Sequence, residues 1–201
     1  MNEVLVLFAH PRFEKSRNNR ALLAGIERME GVTINDLYEQ YPDFNVDADR
    51  EKSLLTEHDV LVWHFPFYMY GAPALLKQWM DVALEYGWAR GSGGDALAGK
   101  IVFVVVTLGG ARDSYAPGRQ HQYPLREFLL PFAQTAALCG MVYLPPFAVH
   151  GTHRLTDGQL DEHVSAYHRL LRRMTAGGLS PASIHHYDYL NDWLQSEEER
   201  S

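Results

Sequence analysis

Two side chains in a polar, irregular stretch are candidates for proton chemistry. Tyr115 and His121 lie between Ala111 and Tyr123, directly after a glycine pair. Either side chain can donate a hydrogen bond to charge that develops on a reduced ring or on an acceptor oxygen. A histidine in a polar loop is also commonly a bystander, so their position alone leaves both interpretations open.

Hydroxyl and amide side chains cluster just before the first predicted helix. Ser16, Asn18 and Asn19 end the loop His10–Asn19, with Arg17 among them. These residue types cap helices, and a helix start offers free N–H groups to an anion. The cluster therefore predicts a phosphate site, with plain helix capping as the alternative. The loop is neither a P-loop nor a GxGxxG fingerprint, so it does not resemble an ATPase or a dinucleotide-binding Rossmann site.

A third group of residues could contact a planar ligand. The buried run Val60–Phe65 breaks at Pro66 into an aromatic loop, and a helix is predicted to begin at Pro73. A flavin needs apolar contact at one end of its ring and hydrogen-bonding groups at the other, and such a loop offers both. The alternative is an ordinary crossover whose rings cover the core. The residues of the aromatic loop are Phe67, Tyr68, Met69 and Tyr70. A third loop, Thr107–Tyr123, begins with Thr107, Gly109 and Gly110, where the absence of side chains lets the backbone approach a ligand closely.

Strands and helices alternate about five times along the chain, which predicts a parallel sheet with helices on both faces. The predicted strands are Glu3–Ala9, Val32–Leu37, Val60–Phe65, Ile101–Leu108 and Met141–Val149. The predicted helices are Arg20–Met29, Asp47–Thr56, Pro73–Leu84, Leu125–Ala137 and Thr156–Gly177, while Tyr38–Val46 reads as irregular. Ligands of such folds bind at the carboxyl ends of the strands, where the three loops converge.

Prolines interrupt the predicted elements in the second half of the chain. Pro131 should bend or divide its helix, and Pro145-Pro146 should confine strand pairing to the first half of Met141–Val149. We expect one domain over residues 1–178 and a tail over 179–201, aromatic and then acidic. The aromatic part should dock on the body or on a second subunit, and Glu197–Glu199 should be disordered.

Composition excludes several classes of function. The 201 residues carry a formal net charge of -7, which argues against a nucleic-acid partner. The single cysteine, Cys139, cannot form an internal disulfide, and the amino terminus does not resemble a signal peptide. We therefore expect a cytoplasmic protein. The pairs His150 with His153 and His163 with His168 lack accompanying ligands at metal-binding spacing, so we predict no metal site.

Several motifs resemble the flavodoxin-like NAD(P)H:quinone oxidoreductases. Within that family, the chain is most similar to the bacterial ancillary flavoproteins of glutathione-gated potassium-efflux antiporters. The family motifs are AHPxxxxSxxN at Ala9–Asn19, PFYMYGAPALLKQWMD at Pro66–Asp81 and TLGG at Thr107–Gly110. The subgroup motifs are LYEQYPDFNVD at Leu37–Asp47, LAGK at Leu97–Lys100 and LPPFAVH at Leu144–His150.

The resemblance implies a three-layer sandwich with a five-stranded parallel sheet of order 2-1-3-4-5. It also implies an FMN-dependent enzyme that takes hydride from NAD(P)H and passes it to a quinone by a ping-pong mechanism, in a homodimer. The FMN phosphate would bind Ser16, Arg17, Asn18 and Asn19 near His10, and the ring would contact Pro66, Phe67, Tyr68, Met69, Tyr70, Thr107, Leu108, Gly109 and Gly110. Tyr115 and His121 reproduce the spacing of the family's catalytic pair.

The resemblance also supplies an alternative function. The chain would be a regulatory subunit on the cytoplasmic domain of a potassium-efflux antiporter, peripheral to the inner face of the membrane, with a structural or lost flavin site. The family commonly has Trp in place of Met69 and Thr in place of Leu108, and these two departures bear on that choice. A flavodoxin-like electron carrier is a third interpretation, against which the long third loop and the aromatic tail argue.

Overall fold

The computed structural model describes residues 1–199 and contains a parallel sheet of order β2-β1-β3-β4-β5, with β6 also paired to β4. This order confirms the predicted 2-1-3-4-5 arrangement. In the register, Val4 lies opposite both Val32 and Val60, which places β1 between its two neighbours. The strands are β1 (Val4–Phe8), β2 (Val32–Asp36), β3 (Val60–Pro66), β4 (Ile101–Thr107), β5 (Val142–Tyr143) and β6 (Phe147–Val149).

Helices cover both faces of the sheet because the strands alternate their side chains between two cores. Leu5 and Leu7 of β1 face one core, whereas Val4 and Val6 face the other. Helices α2 (Leu37–Gln40), α3 (Ala48–Glu57), α4 (Ala74–Ala83), α5 (Leu125–Phe128) and α6 (Leu130–Leu138) contribute to the first core. Helices α1 (Arg17–Leu23), α7 (Asp157–Ala176), α8 (Pro181–Ile184) and α9 (Leu190–Glu198) contribute to the second.

The prediction that Pro145-Pro146 confines pairing to the first half of the last strand was wrong. Both β5 and β6 pair with β4, and Pro145-Pro146 lies between them. A proline has no N–H to donate, but neither ring stands where β4 requires a donor. Leu144 N–H, just before the prolines, still donates to Val102 at 2.9 Å. The chain therefore resumes pairing after the interruption and carries a further loop to the edge of the sheet.

Helix boundaries differ from the predictions where a capping side chain decides them. Helix α1 begins at Arg17 rather than Arg20, because the Ser16 side chain accepts from the Asn19 N–H. Asp36 caps α2 in the same way, so part of the segment predicted as irregular is helical. Pro73 is the cap of α4 rather than its first residue. Pro131 does divide its helix, at the boundary between α5 and α6.

The carboxyl-terminal segments are ordered against the body. A capping box of Thr156 with Gln159 begins α7 where the helix was predicted to start, and Gly177, with φ 73°, ends it. The aromatic tail then docks through α8 and α9, as one of the two expected arrangements. The acidic run was wrongly predicted to be disordered, since Glu197 and Glu198 lie in α9 and pair with Arg173 and Arg169. Within residues 1–199, no helix combines the length and apolar character needed to cross a membrane.

Candidate functional site

Backbone hydrogen bonds hold the three predicted loops side by side at the carboxyl edge of the sheet. The Ala9 N–H donates to His64, and the Phe67 N–H donates to Thr107, at 3.0 and 2.9 Å. The loops enclose a cleft of about 760 Å³. Eleven predicted residues line it, namely His10, Ser16, Arg17, Asn18, Asn19, Pro66, Phe67, Tyr68, Met69, Thr107 and Gly109. Arg12, Lys15, Thr152 and His153 complete the lining.

The floor of the cleft is a buried polar network centred on Asn19. Its amide N–H groups donate to the Ser16 hydroxyl at 2.9 Å and to the Thr107 hydroxyl at 3.1 Å. Its carbonyl oxygen lies 3.0 Å from Nε2 of His64, and the other ring nitrogen of His64 lies 3.3 Å from the Tyr167 hydroxyl. Burial, followed by the nearby His10, lowers the pKa of His64 to about 3. His64 is therefore neutral, and in this arrangement a proton on its Nε2 donates to the Asn19 carbonyl oxygen.

This orientation leaves the Ser16 hydroxyl proton for a ligand. The Ser16 oxygen accepts from the Asn19 backbone N–H at 3.3 Å and from its side chain at 2.9 Å. Because a hydroxyl oxygen has two lone pairs, both are occupied and the O–H can only donate. Ser16 is therefore preset as a donor to an anion in the cleft.

His10 offers a second preset donor. Its Nδ1 accepts the Arg12 backbone N–H at 3.0 Å, and burial lowers its pKa against the opposing effect of Glu14. A neutral imidazole that accepts at Nδ1 carries its proton on Nε2, which lies 3.4 Å from the Tyr68 hydroxyl. This end of the cleft therefore presents N–H and O–H donors.

Cationic side chains line the same end of the cleft. Arg12 and Lys15 are exposed, and neither side chain has an ion-pair partner among residues 1–199. Arg17, predicted for this role, instead pairs with Asp157 at 2.6 Å at the start of α7. The positive charge available to an anion therefore comes mainly from two residues that the sequence motif did not single out.

One acceptor in the cleft lacks a partner. Asn18 donates through its amide nitrogen to the Thr152 carbonyl at 3.2 Å, while its buried Oδ1 has no hydrogen-bond partner within the described chain. A buried acceptor without a partner costs about 1–3 kcal/mol. A hydroxyl-bearing ligand would satisfy this oxygen.

The aromatic loop turns through backbone conformations that side chains rarely adopt. Met69 and Tyr70 have φ of 45° and 67°, and the turn is closed by mutual hydrogen bonds between Tyr68 and Gly71. Strain of this kind is concentrated at functional sites. In the described part of the chain, the N–H groups of Met69 and Tyr70 donate to no protein acceptor. The loop therefore offers two backbone donors beside its rings.

Tyr115 and His121 stand next to the cleft rather than on its lining. Their rings stack at 4.1 Å, and the Tyr70 hydroxyl lies 3.5 Å from Nδ1 of His121. A Cβ at Gly110 would lie 2.6 Å from His121 and 2.9 Å from Tyr115, so any side chain there would displace one of these rings. Burial, then the nearby Tyr70 and Tyr189, raises the pKa of Tyr115 to about 12. Tyr115 is therefore a protonated donor at neutral pH.

Two residues predicted to contact the flavin ring, Leu108 and Gly110, do not line the cleft. The Leu108 side chain is buried in the core, so its difference from the threonine common in the family falls away from the cleft. Gly110 faces the stacked pair. Sequence analysis missed four lining residues (Arg12, Lys15, Thr152 and His153) and the buried positions His64 and Tyr167. Thr152 and His153 follow β6, and the prediction that strand pairing stops at Pro145-Pro146 gave no reason to place them at the cleft.

Known proteins are similar to this chain in sequence and in fold. A family model described as a flavodoxin-like fold matches residues 2–171. The glutathione-regulated potassium-efflux system ancillary protein KefG of Serratia proteamaculans (strain 568) is 44% identical over 170 residues, covering 85% of this chain and 93% of the relative. The match to the family ends before α8, so the docked tail lies outside it.

Two solved structures are similar over nearly their whole length. General stress protein 14 of Treponema denticola, in complex with FMN, aligns with a TM-score of 0.81 at 34% identity, covering 85% of this chain and 98% of that one. An NADPH-quinone reductase from P. pentosaceus aligns with a TM-score of 0.78 at 31% identity, covering 89% and 99%.

Proposed function

We propose that this chain, which belongs to the flavodoxin-like protein family, is an FMN-dependent NAD(P)H:quinone oxidoreductase. The observation that carries the proposal is the donor set of the cleft. One end combines a serine hydroxyl, a neutral imidazole and two unpaired cations, and the side carries aromatic rings with two backbone donors. The similarity to an FMN complex and to an NADPH-quinone reductase supports the same ligand and reaction.

The residues of the cleft fit the parts of FMN. The phosphate would bind the Ser16 hydroxyl and His10, with Arg12 and Lys15 balancing its charge. The unpartnered Oδ1 of Asn18 would accept from a hydroxyl of the ribityl chain. The ring would lie against the loop at Met69 and the backbone after β4.

The protein's own groups orient the substrates and hold protons. Bound FMN supplies two-electron hydride chemistry. NAD(P)H and the quinone would use one position in turn, which gives ping-pong kinetics. Tyr115, kept protonated by burial, would donate a hydrogen bond to the quinone oxygen as negative charge develops there. His121, stacked on Tyr115, would hold that hydroxyl in place or donate beside it.

The visible spectrum of the purified protein, with and without added FMN, tests the proposal first. We expect a flavin spectrum that NADPH bleaches and that menadione restores. A colourless protein that does not take up FMN would overturn the proposed function. Flavin that binds but is not reduced by NADPH or NADH would limit the function to cofactor binding.

A substitution of His121 tests the catalytic assignment. We expect His121→Ala to lower quinone turnover about tenfold or more and to leave FMN content unchanged, because His121 does not line the cofactor cleft. Steady-state kinetics with menadione measure the effect. His185→Ala, an exposed histidine in the tail, is the control and should leave both unchanged. Unchanged turnover in His121→Ala would remove His121 from the mechanism.

A second candidate function rests on the 44% identity to an ancillary protein of a potassium-efflux system. In this function, the chain binds the cytoplasmic domain of such an antiporter and is held at the inner face of the membrane by that contact. Binding of the purified chain to the isolated antiporter domain tests it. Because His121 would not serve this contact, His121→Ala should preserve binding, which separates the two functions.

We further propose a homodimer. An apolar groove of about 480 Å³ between α4 and α6 runs up to Tyr70 at the site. It is bordered by the exposed Leu138 and by the pair Lys77 and Asp81, so it presents apolar surface with both signs of charge. A self-complementary contact suits a twofold dimer that brings the two sites close to the interface. Light scattering after gel filtration would give twice the chain mass of 22.9 kDa.

A further inference from the structure

The tail beyond the family match is fixed to the edge of the sheet. The Leu190 N–H donates to the Pro146 carbonyl at 2.9 Å. The side chain of Asn191 bonds both backbone groups of Ala148, at 2.9 and 3.1 Å, as a neighbouring strand would. Trp193 and Leu194 bury their side chains in the second core. The start of α9 is therefore a rigid platform beside β6.

From this platform the tail reaches the loop that carries Tyr115. Asp192 accepts two hydrogen bonds from the Arg112 guanidinium, at 2.7 and 2.6 Å. The same guanidinium lies 4.4 Å from the ring centre of Tyr189. A planar two-point pair combined with a ring contact fixes both the position and the orientation of an arginine. Arg112 belongs to the 3-10 turn Arg112–Ser114, directly before Tyr115.

A second line of contacts runs from the tail to the same tyrosine. The Tyr189 ring lies 5.5 Å from the His150 ring, which lies 5.6 Å from the Tyr115 ring. His121 covers another side of Tyr115 at 4.1 Å. Tyr115 is thus enclosed between its own loop and a histidine that the tail covers.

Apart from the ring contacts of Tyr115 with Phe67 and Phe128 and of His121 with Tyr70, few contacts in the described part of the chain tie this loop to the body. Between Ala111 and Tyr123 its regular structure is one 3-10 turn, and its backbone bonds are local, such as His121 N–H to Ser114 at 3.0 Å. Its outer residues, including Arg119, are exposed. Segments with few buried contacts and local bonds open at low free energy. The ties to α9 therefore matter for the conformation of this loop.

We propose that Tyr189 and Asp192 of the tail are positioning residues that hold Arg112, and through it the loop bearing Tyr115 and His121, in the geometry that meets the quinone. This inference rests on the proposed function, because it assumes that Tyr115 and His121 meet a quinone. It assigns a task to a segment outside the family match. The tail acts on the loop and touches neither substrate nor cofactor.

The test compares two substitutions on the same helix. Asp192→Asn weakens the pair with Arg112, whereas Glu198→Gln weakens the pair of Glu198 with Arg169, which is of similar length, 2.7 Å, but has a more exposed carboxylate. We expect Asp192→Asn to raise the rate of tryptic cleavage after Arg119 about fivefold, as loss of a favourable exposed pair allows. Glu198→Gln should leave cleavage unchanged. The melting temperature of each variant reports whether the whole fold is preserved.

Kinetics separate positioning from general stability. We expect Asp192→Asn to lower kcat with menadione about fivefold while FMN content stays at the wild-type level. The double variant Arg112→Asp with Asp192→Arg restores the ion pair in reverse but not the contact with the Tyr189 ring, so it should recover part of both losses. A Tyr189→Phe variant keeps the ring over Arg112 and should behave as wild type, whereas Tyr189→Ala should behave as Asp192→Asn.

Each result bears on one proposal. Cleavage after Arg119 that is equal in wild type and Asp192→Asn would overturn the positioning role, as would a Tyr189→Ala variant with wild-type cleavage and kcat. A wild-type protein without quinone turnover would overturn the proposed function. The cleavage rates, which need neither cofactor nor substrate, would then still decide whether the tail holds the loop.

Discussion

The two ends of the site are built in different ways. At the floor of the cleft, Asn19, His64 and Tyr167 are buried, and their hydrogen bonds join α1, β3 and α7. At the outer end, Tyr115 and His121 lie on a loop tied to α9 by a half-exposed ion pair. The floor is specified by the core of the fold, whereas the outer loop depends on surface contacts. We infer that cofactor binding is set by the fold and that turnover is adjustable at the loop.

Replacement of Asn19, whose side-chain amide is at the centre of the floor network, should have the largest effect on this difference between the two ends of the site. We expect Asn19→Ala to lower FMN affinity about a hundredfold or more and to reduce the free energy of unfolding by about 3 kcal/mol. The physical reason is that His64, Ser16 and Thr107 would all lose a buried partner. Fluorescence titration with FMN and urea unfolding of the apoprotein measure the two effects.

Asn35, on β2 beside β1, provides a matched control. Asn35 is similarly buried and donates to Glu51 at 2.8 Å, away from the cleft. Asn35→Ala should reduce stability by a similar amount and leave FMN affinity unchanged. If both variants lost FMN affinity equally, the floor network would be a general feature of stability and not a cofactor support.

Titration of His64 gives the next largest effect. Its pKa of about 3 in the folded state lies below the ordinary value of 6.5, so protonation favours unfolding. The neutral form is stable above pH 6.5, and this contribution is lost as the pH falls from 6.5 toward 3. At pH 5.0 the loss should be about 2 kcal/mol relative to pH 7.5.

The measurement is urea unfolding at both pH values for wild type and His64→Gln. Glutamine can still donate to Asn19 but does not titrate, so the variant should lose about 2 kcal/mol less stability than the wild type between pH 7.5 and 5.0. His10 and His150, whose pKa values are also lowered by burial, contribute to both proteins. Equal losses in the two proteins would show that His64 does not control acid stability.

The sequence was informative wherever a pattern is local. Apolar runs predicted the strands, and the loops at their carboxyl ends placed eleven of the predicted site residues in one cleft. Neither His64, the partner of Asn19, nor Tyr167, the partner of His64, was predictable in this way, because His64 sits within an apolar strand run and Tyr167 is far away in sequence. Helix starts were also uncertain, since several adjacent residues can cap and only the folded chain selects Ser16.

The docking position of the tail was also not predictable from a local sequence pattern. Its aromatic residues predicted docking, but the pattern could not distinguish the body from a second subunit. The contact that decides its position is a side chain, Asn191, that imitates strand pairing at Ala148. Such a contact depends on the three-dimensional position of an edge strand, and no strand pairing was expected after Pro146.

The smallest expected effect concerns the exposed tip of the aromatic loop. Met69 is 91% exposed and has a left-handed backbone, so it contributes little to the stability of the apoprotein. A tryptophan there would offer a larger face to a planar ring, worth about 0.5–1.5 kcal/mol. We therefore expect Met69→Trp to raise FMN affinity about fivefold with little change in unfolding. Phe44→Trp, at another left-handed position that does not line the cleft, is the control for added aromatic surface. Equal changes in both variants, or none in Met69→Trp, would mean that the tip of this loop does not contact the flavin ring and that the binding energy comes from the floor of the cleft.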